Sequence, residues 1–153
     1  MKRFSRVLVA TSFLFFPALS AHALAEAPLA GLNAVVYKSP TCGCCTSYVA
    51  FLRKHGVTVE THNVDDASLM QVKAEHGVPN GAESCHTVLL EGYIVEGHVP
   101  LAALEKLLTE RPEVDGVSMP GMPTGVPGMP GPAYGPLEVI SFDGGTTAPF
   151  LSL

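Results

Sequence analysis

Short β-branched apolar runs alternate along this chain with stretches whose apolar residues recur at helical spacing. Ala34-Val35-Val36-Tyr37 is a run of the first kind and predicts a strand. Pro40 and Gly43 then punctuate a loop. From Cys44 or Cys45 onward, Tyr48, Phe51, Leu52 and His55 fall at helical spacing, and Gly56 suits the stop. Residues 57–64 alternate in part and predict a second strand. Asp65 or Asp66 can cap a second helix through Leu69, Met70 and Lys73, with Met70 expected in the core and Gly77 at the end. Thr87-Val88-Leu89-Leu90, a Glu91-Gly92 turn and Tyr93-Ile94-Val95 predict two further strands. Pro100 fits the first turn of a last helix, with Leu101, Leu104, Leu107 and Leu108 facing inward and Pro112 stopping it. The predicted order is β-α-β-α-β-β-α, an α/β domain over residues 26–113.

Both ends of the chain depart from that rhythm. Residues 114–136 are dense in Pro, Gly and Met, a composition that predicts neither a regular helix nor a central strand. The segment 114–153 is therefore expected to wrap the domain as a tail, with Leu137 to Phe142 returning to the sheet. At the other end, Lys2, Arg3 and Arg6 precede an apolar run from Val7 to Leu19. Two small-x-small signals follow, at Ala21-His22-Ala23 and Ala23-Leu24-Ala25. This is the pattern of a secretory leader over residues 1–25, cleaved after Ala23 or Ala25, and too short to remain as a spanning helix. Export of that kind implies an oxidising compartment for the mature protein, with no membrane span left after cleavage.

Charge narrows the partners. Losing the leader removes three of the nine basic residues and none of the 14 acidic ones, so the formal net charge moves from −5 to −8. A nucleic-acid partner needs a basic footprint that this chain lacks.

The chemistry is concentrated in four cysteines. Three lie in Pro40-Thr41-Cys42-Gly43-Cys44-Cys45, and the fourth in Ser84-Cys85-His86-Thr87. Cys42, Cys44 and Cys45 enter a predicted helix N-terminus, where free amides and the helix dipole lower thiol pKa values. Crowded soft thiolates suit copper, most of all Cu(I). Three cysteines with Cys85 or His86 also count as a zinc set. An oxidising compartment turns spare thiols into disulfides, and Cys42 and Cys45 have the C-x-x-C spacing of a redox pair. Thr46 stands where a c-type haem motif needs histidine. The metal candidates are Cys42, Cys44, Cys45, Cys85 and His86. His98, Met119, Met122 and Met129 are auxiliary candidates, since thioether sulfur also binds Cu(I). His55 and His76 precede glycines at helix ends and fit as C-terminal residues there. His62 fits as a surface strand residue.

The element order resembles the thioredoxin-like fold, with Cys42-Gly43-Cys44-Cys45 where thioredoxins carry C-G-P-C. The loop that in thioredoxins faces the active cysteines is here Ser84-Cys85-His86, so the resemblance implies that the two cysteine clusters meet. Cys44 replaces the motif proline and no proline precedes Thr87, which argues against general disulfide exchange. A closer resemblance rests on ordered strings. These are Lys38-Ser39-Pro40-Thr41-Cys42-Gly43-Cys44-Cys45, Ser84-Cys85-His86-Thr87, Gly92-Tyr93, Glu96-Gly97-His98-Val99-Pro100 and Pro120-Gly121-Met122-Pro123. They are similar to those of the exported copper-resistance proteins of the CopG type. That resemblance implies a thioredoxin-like, periplasmic copper-binding protein that sequesters or transfers Cu(I) and contributes to copper resistance. Its expected partners are copper ions and a periplasmic copper-handling or redox protein. A copper- or thiol-dependent oxidoreductase using Cys42 and Cys45 is the second reading, and a zinc-binding or disulfide-stapled structural domain the third.

Overall fold

The structure is a computed structural model that describes residues 29–153; the predicted leader lies outside the described residues. The elements, in chain order, are β1 (Asn33–Lys38), α1 (Gly43–Lys54), β2 (Thr58–Asn63), α2 (Asp66–Glu75), β3 (His86–Leu90), β4 (Tyr93–Gly97) and α3 (Leu101–Glu110). Three more strands follow: β5 (Gly116–Met119), β6 (Glu138–Asp143) and β7 (Thr146–Ser152). The first seven elements reproduce the predicted order.

Capping explains where the helices begin and end. Asp65 is the N-cap of α2, its carboxylate accepting the Ser68 N–H at 2.8 Å. That bond holds the Asp65 carboxyl below its ordinary range. His55 and His76 are the C-cap residues of α1 and α2, as their position before glycine predicts.

The strands form one sheet in the order β2-β1-β3-β4-β5-β6-β7. β1 runs parallel to β2 and antiparallel to β3, and β3 runs antiparallel to β4. That four-stranded part is the thioredoxin-like unit. α3 then crosses over to set β5 parallel to β4, the ordinary connection for a β-α-β unit. β6 and β7 continue antiparallel.

Here the prediction for the C-terminal stretch needs correction. Its first residues, Gly116 to Met119, are a fully buried strand inside the sheet, and β7 is a second strand that the pattern did not show. Gly116-Val117-Ser118-Met119 contains no proline, so its amides are free to pair; the proline-dense composition begins only at Pro120. Residues 120–136 carry no helix or strand.

The sheet has two covered faces. On one, Tyr48, Val49 and Leu52 of α1 and Ala103, Leu104 and Leu107 of α3 share a core with Val36, Val88, Leu90 and Val95. On the other, α2 lays Lys73 against Thr87 at 3.0 Å. Met70 is a second correction: it is 53% exposed, whereas Leu69 and Lys73 are buried. Residues 69 and 73 are one helical turn apart and face the sheet together, while residue 70 is rotated away. Among the described residues no helix is long and apolar enough to cross a membrane.

Candidate metal centre

The site forms where the N-terminus of α1 meets the start of β3. Cys42 is the N-cap of α1, and its sulfur accepts the Cys45 N–H at 3.4 Å. Cys44 and Cys45 are thereby held in the first turn, beside unpaired helix amides. β1 and β3 pair Lys38 with His86. That register brings Cys85, the residue before β3, onto the same end of the sheet as the α1 N-terminus.

Four sulfurs converge as a result. Those of Cys42, Cys44, Cys45 and Cys85 all lie within 4.8 Å of one another. Cys42 and Cys45 form a disulfide, and Cys44 and Cys85 are free thiols. The Cys44 sulfur is 3.3 Å from that of Cys42 and 3.9 Å from that of Cys85. Burial first, then the neighbouring Cys44 sulfur, push the Cys85 thiol up to about 12. A metal must displace that proton to bind there.

Cys85 also belongs to a second donor group, with His86 and His98. Its sulfur is 3.1 Å from His98 Nε2 and 3.3 Å from His86 Nδ1. His98 donates its Nδ1–H to the Pro127 carbonyl at 2.7 Å, which leaves the Nε2 lone pair aimed at Cys85. His86 is fully buried, and its Nε2 has no hydrogen-bond partner. The Tyr48 ring lies against both imidazoles, at 4.7 Å from His86 and 5.5 Å from His98, and its hydroxyl donates to the Val99 carbonyl at 2.9 Å. Burial raises the Tyr48 hydroxyl far above its ordinary value, so it stays protonated.

Burial holds both imidazoles below their ordinary pKa; for His86 the nearby His98 and Lys73 add to it, while for His98 the Pro127 bond opposes it. Neutral imidazole is the ligating form. The same shifts carry a stability prediction. A base held neutral in the fold binds its proton more weakly there than in the unfolded chain. Stability is therefore fully present above the ordinary value of 6.5 and falls as pH drops below it. The loss is at most about 1.4 kcal/mol per pH unit for each imidazole. Urea unfolding of metal-free protein at pH 7.5 and 5.5 checks this, with His86→Gln expected to flatten the dependence. An equally steep loss in the variant would show that His86 is not responsible.

The proline-rich segment closes the histidine side. Gly128 has φ +84, and a Cβ there would meet the Cys44 carbonyl at 2.8 Å, the Tyr48 amide at 3.0 Å and His98 Nδ1 at 3.2 Å. Only glycine lets the backbone rest this closely on the first turn of α1. Nearby, Ser84 Oγ donates to the Gly121 carbonyl at 2.5 Å and the Gly121 N–H to the Glu83 carbonyl at 3.3 Å. Gly97, with φ +74, leaves the room that Ser84 occupies.

The predicted ligands thus separate by position. Cys42, Cys44, Cys45 and Cys85 come together, with His86 and His98 around Cys85. His98 precedes α3, whose N-cap is Pro100, and its side chain turns to Cys85 and Pro127. Met119 is buried in the core cluster, Met129 packs against that cluster from the tail, and Met122 is 56% exposed. His62 is at the surface, 2.8 Å from Glu60 and stacked on Tyr37.

Sequence reasoning did not single out a buried polar group behind the site. Glu96 Oε1 accepts from Lys73 Nζ at 2.5 Å and from the Ser84 N–H at 2.7 Å, and Oε2 accepts from Thr87 Oγ1 at 2.7 Å. Lys73, Thr87 and Glu96 are all buried. Burial raises the Glu96 carboxyl and Lys73 opposes that rise. The visible signal was Lys73 itself, placed four residues after Leu69 on an inward face.

Comparison with known proteins agrees with this architecture. A family model described as glutaredoxin matches residues 34–79, and one described as a protein of unknown function, DUF411, matches residues 82–129. No curated protein matches. Two solved structures, both of "Copper resistance protein copG" in forms 2 and 1, are each 36% identical with a TM-score of 0.71. Each match covers 80% of this chain, and 98% and 97% of the respective solved chains. The fold is thioredoxin-like, its cysteine cluster is of a kind that can hold metal, and the chain belongs to the CopG family of copper resistance proteins.

Proposed function

We propose that this protein is exported to the periplasm and there sequesters or hands over Cu(I), contributing to copper resistance. Cys42, Cys44, Cys45 and Cys85 act as the thiolate ligands, with His86 and His98 as nitrogen ligands. The metal-binding unit takes in the whole described sheet, β5 to β7 included, and residues 120–136 hold its open side through Pro127 and Gly128. The observation that carries this reading is the position of Cys85. Its sulfur is within 4.8 Å of three other cysteine sulfurs and also of two imidazole nitrogens held neutral by burial. Soft thiolates and imidazole together select copper over harder cations. Adjacent Cys44 and Cys45, with one sulfur shared between two donor groups, suit bridged Cu(I) better than one tetrahedral zinc. Competition with a calibrated Cu(I) chelator tests the choice. Displacement of copper by an equal concentration of Zn²⁺ overturns it.

A second reading is favoured by one feature. The Cys42–Cys45 disulfide has a free thiol, Cys44, at 3.3 Å from one of its sulfurs. That is the layout of a thiol–disulfide couple, and it fits an oxidoreductase that works with a periplasmic redox partner. The two readings meet in one test. The disulfide removes two of four thiolates, so copper loading and disulfide formation exclude each other. Cu(I)-loaded protein is expected to retain all four thiols under oxidant for much longer than metal-free protein. Thiol counting after rapid mixing measures this. Repeated fast cycles of oxidation and reduction without loss of copper would favour the oxidoreductase instead.

A further inference from the structure

Glu96 lies behind the sheet from the candidate ligands, yet it is bonded to both sides of the segment that carries two of them. Side chains alternate along β3, so His86 faces the α1 side with Val88 and Leu90, and Thr87 faces α2. Thr87 is the register partner of Glu96 on β4. One carboxylate therefore reaches Thr87 Oγ1 with one oxygen and, with the other, the Ser84 N–H at 2.7 Å. Ser84 and Thr87 flank Cys85-His86. Glu96 itself stands two residues before His98. Lys73, at 2.5 Å from Glu96 and 3.0 Å from Thr87, closes the network from α2.

We propose that Glu96, held by Lys73, is a positioning residue that fixes Cys85 between Cys44 and His98. The inference rests on the copper reading for its consequence, and on geometry alone for its mechanism. Without the carboxylate, the Ser84 N–H loses its acceptor, and the backbone that leads into Cys85 loses its anchor to β4. Cys85 then no longer keeps its 3.9 Å and 3.1 Å separations from Cys44 and His98. Groups behind metal ligands commonly contribute 10- to 100-fold to metal affinity by such orientation.

A buried ion pair also has a structural role, so the test must separate the two. Lys73→Met with Glu96→Leu removes both charges and fills the space with apolar groups, a change that buried pairs often tolerate in stability. It also removes the acceptors of the Ser84 N–H and the Thr87 hydroxyl. Lys73→Met with Glu96→Gln keeps a neutral amide in the same place, whose oxygen can still accept from Ser84. Cu(I) affinity by chelator competition is expected to fall about 10- to 100-fold in the Met/Leu variant and to recover in the Met/Gln variant. A second readout needs no copper. In a background with Cys42→Ser and Cys45→Ser, mild oxidation joins Cys44 to Cys85 at a rate set by their proximity, and the Met/Leu change is expected to slow it about tenfold or more.

Wild-type affinity and wild-type crosslinking in a folded Met/Leu variant overturn the proposal. Slowed crosslinking in a protein that never binds Cu(I) supports the positioning role and sinks the copper reading instead. If the Met/Leu variant does not fold, Thr87→Val serves in its place. It removes one arm of the clamp and leaves the ion pair, and an unchanged crosslinking rate there overturns the proposal equally.

Discussion

Cys85→Ser is expected to weaken Cu(I) binding on the order of 10³-fold, about 4 kcal/mol. Cys85 is the residue shared by the sulfur group and the imidazole group, so its loss reduces both at once. Serine keeps the size of the side chain but offers a hard oxygen that does not ionise, and Cu(I) prefers sulfur. The remaining cysteines do not replace it: Cys42, Cys44 and Cys45 belong to the sulfur group, and His86 and His98 share a donor group with Cys85. Chelator competition and copper-to-protein ratio, both on reduced protein, measure the effect. Unchanged affinity and capacity would mean that the two cysteine clusters do not act as one site.

Lys73→Met alone is expected to cost about 3–5 kcal/mol of folding stability, more than the double change with Glu96→Leu. The single substitution strips the cation from a carboxylate with no solvent exposure. Two neutral donors, the Ser84 N–H and the Thr87 hydroxyl, remain and do not balance its charge. The double change leaves no charge behind. Guanidinium unfolding of the single and double variants gives the comparison. A single variant as stable as the double would show that the pair is not the buried, dry contact described above.

Local pattern made most of the α/β unit legible, because capping residues, glycine stops and apolar periodicity are encoded within a few neighbours. Asp65, Gly56 and Gly77 did their expected work. Met70 is hydrophobic yet exposed, because helical phase puts Leu69 and Lys73 inside. β5 and β7 were hidden for different reasons. β5 is only four residues and opens a stretch dominated by the prolines after it. β7 carries Pro149 and is mostly exposed, so it lacks an alternating apolar face. The meeting of Cys85 with the α1 cysteines was legible only through the thioredoxin-like order. The Glu96 network was not, since Lys73 and Glu96 are 23 residues apart and nothing local links them. The bond from His98 to Pro127 spans 29 residues and was hidden in the same way.

The added strands also decide from which direction another protein can come. In a four-stranded sheet β4 would be a rim, with its amides and carbonyls open to a visiting strand. Here Glu96 and Gly97 pair with Ser118 and Met119, and the rim on that side has moved out to β7. With about 4.8 Å between neighbouring strands, that free edge is some 14 Å further from the sulfurs. The bulge at Val139 and Ile140 and the proline in β7 make it a poor template for strand addition as well. A visiting strand finds no template on this flank, and the way to the sulfurs is end-on, over the first turn of α1, where Thr41 is exposed and Cys42 and Cys44 are half-buried.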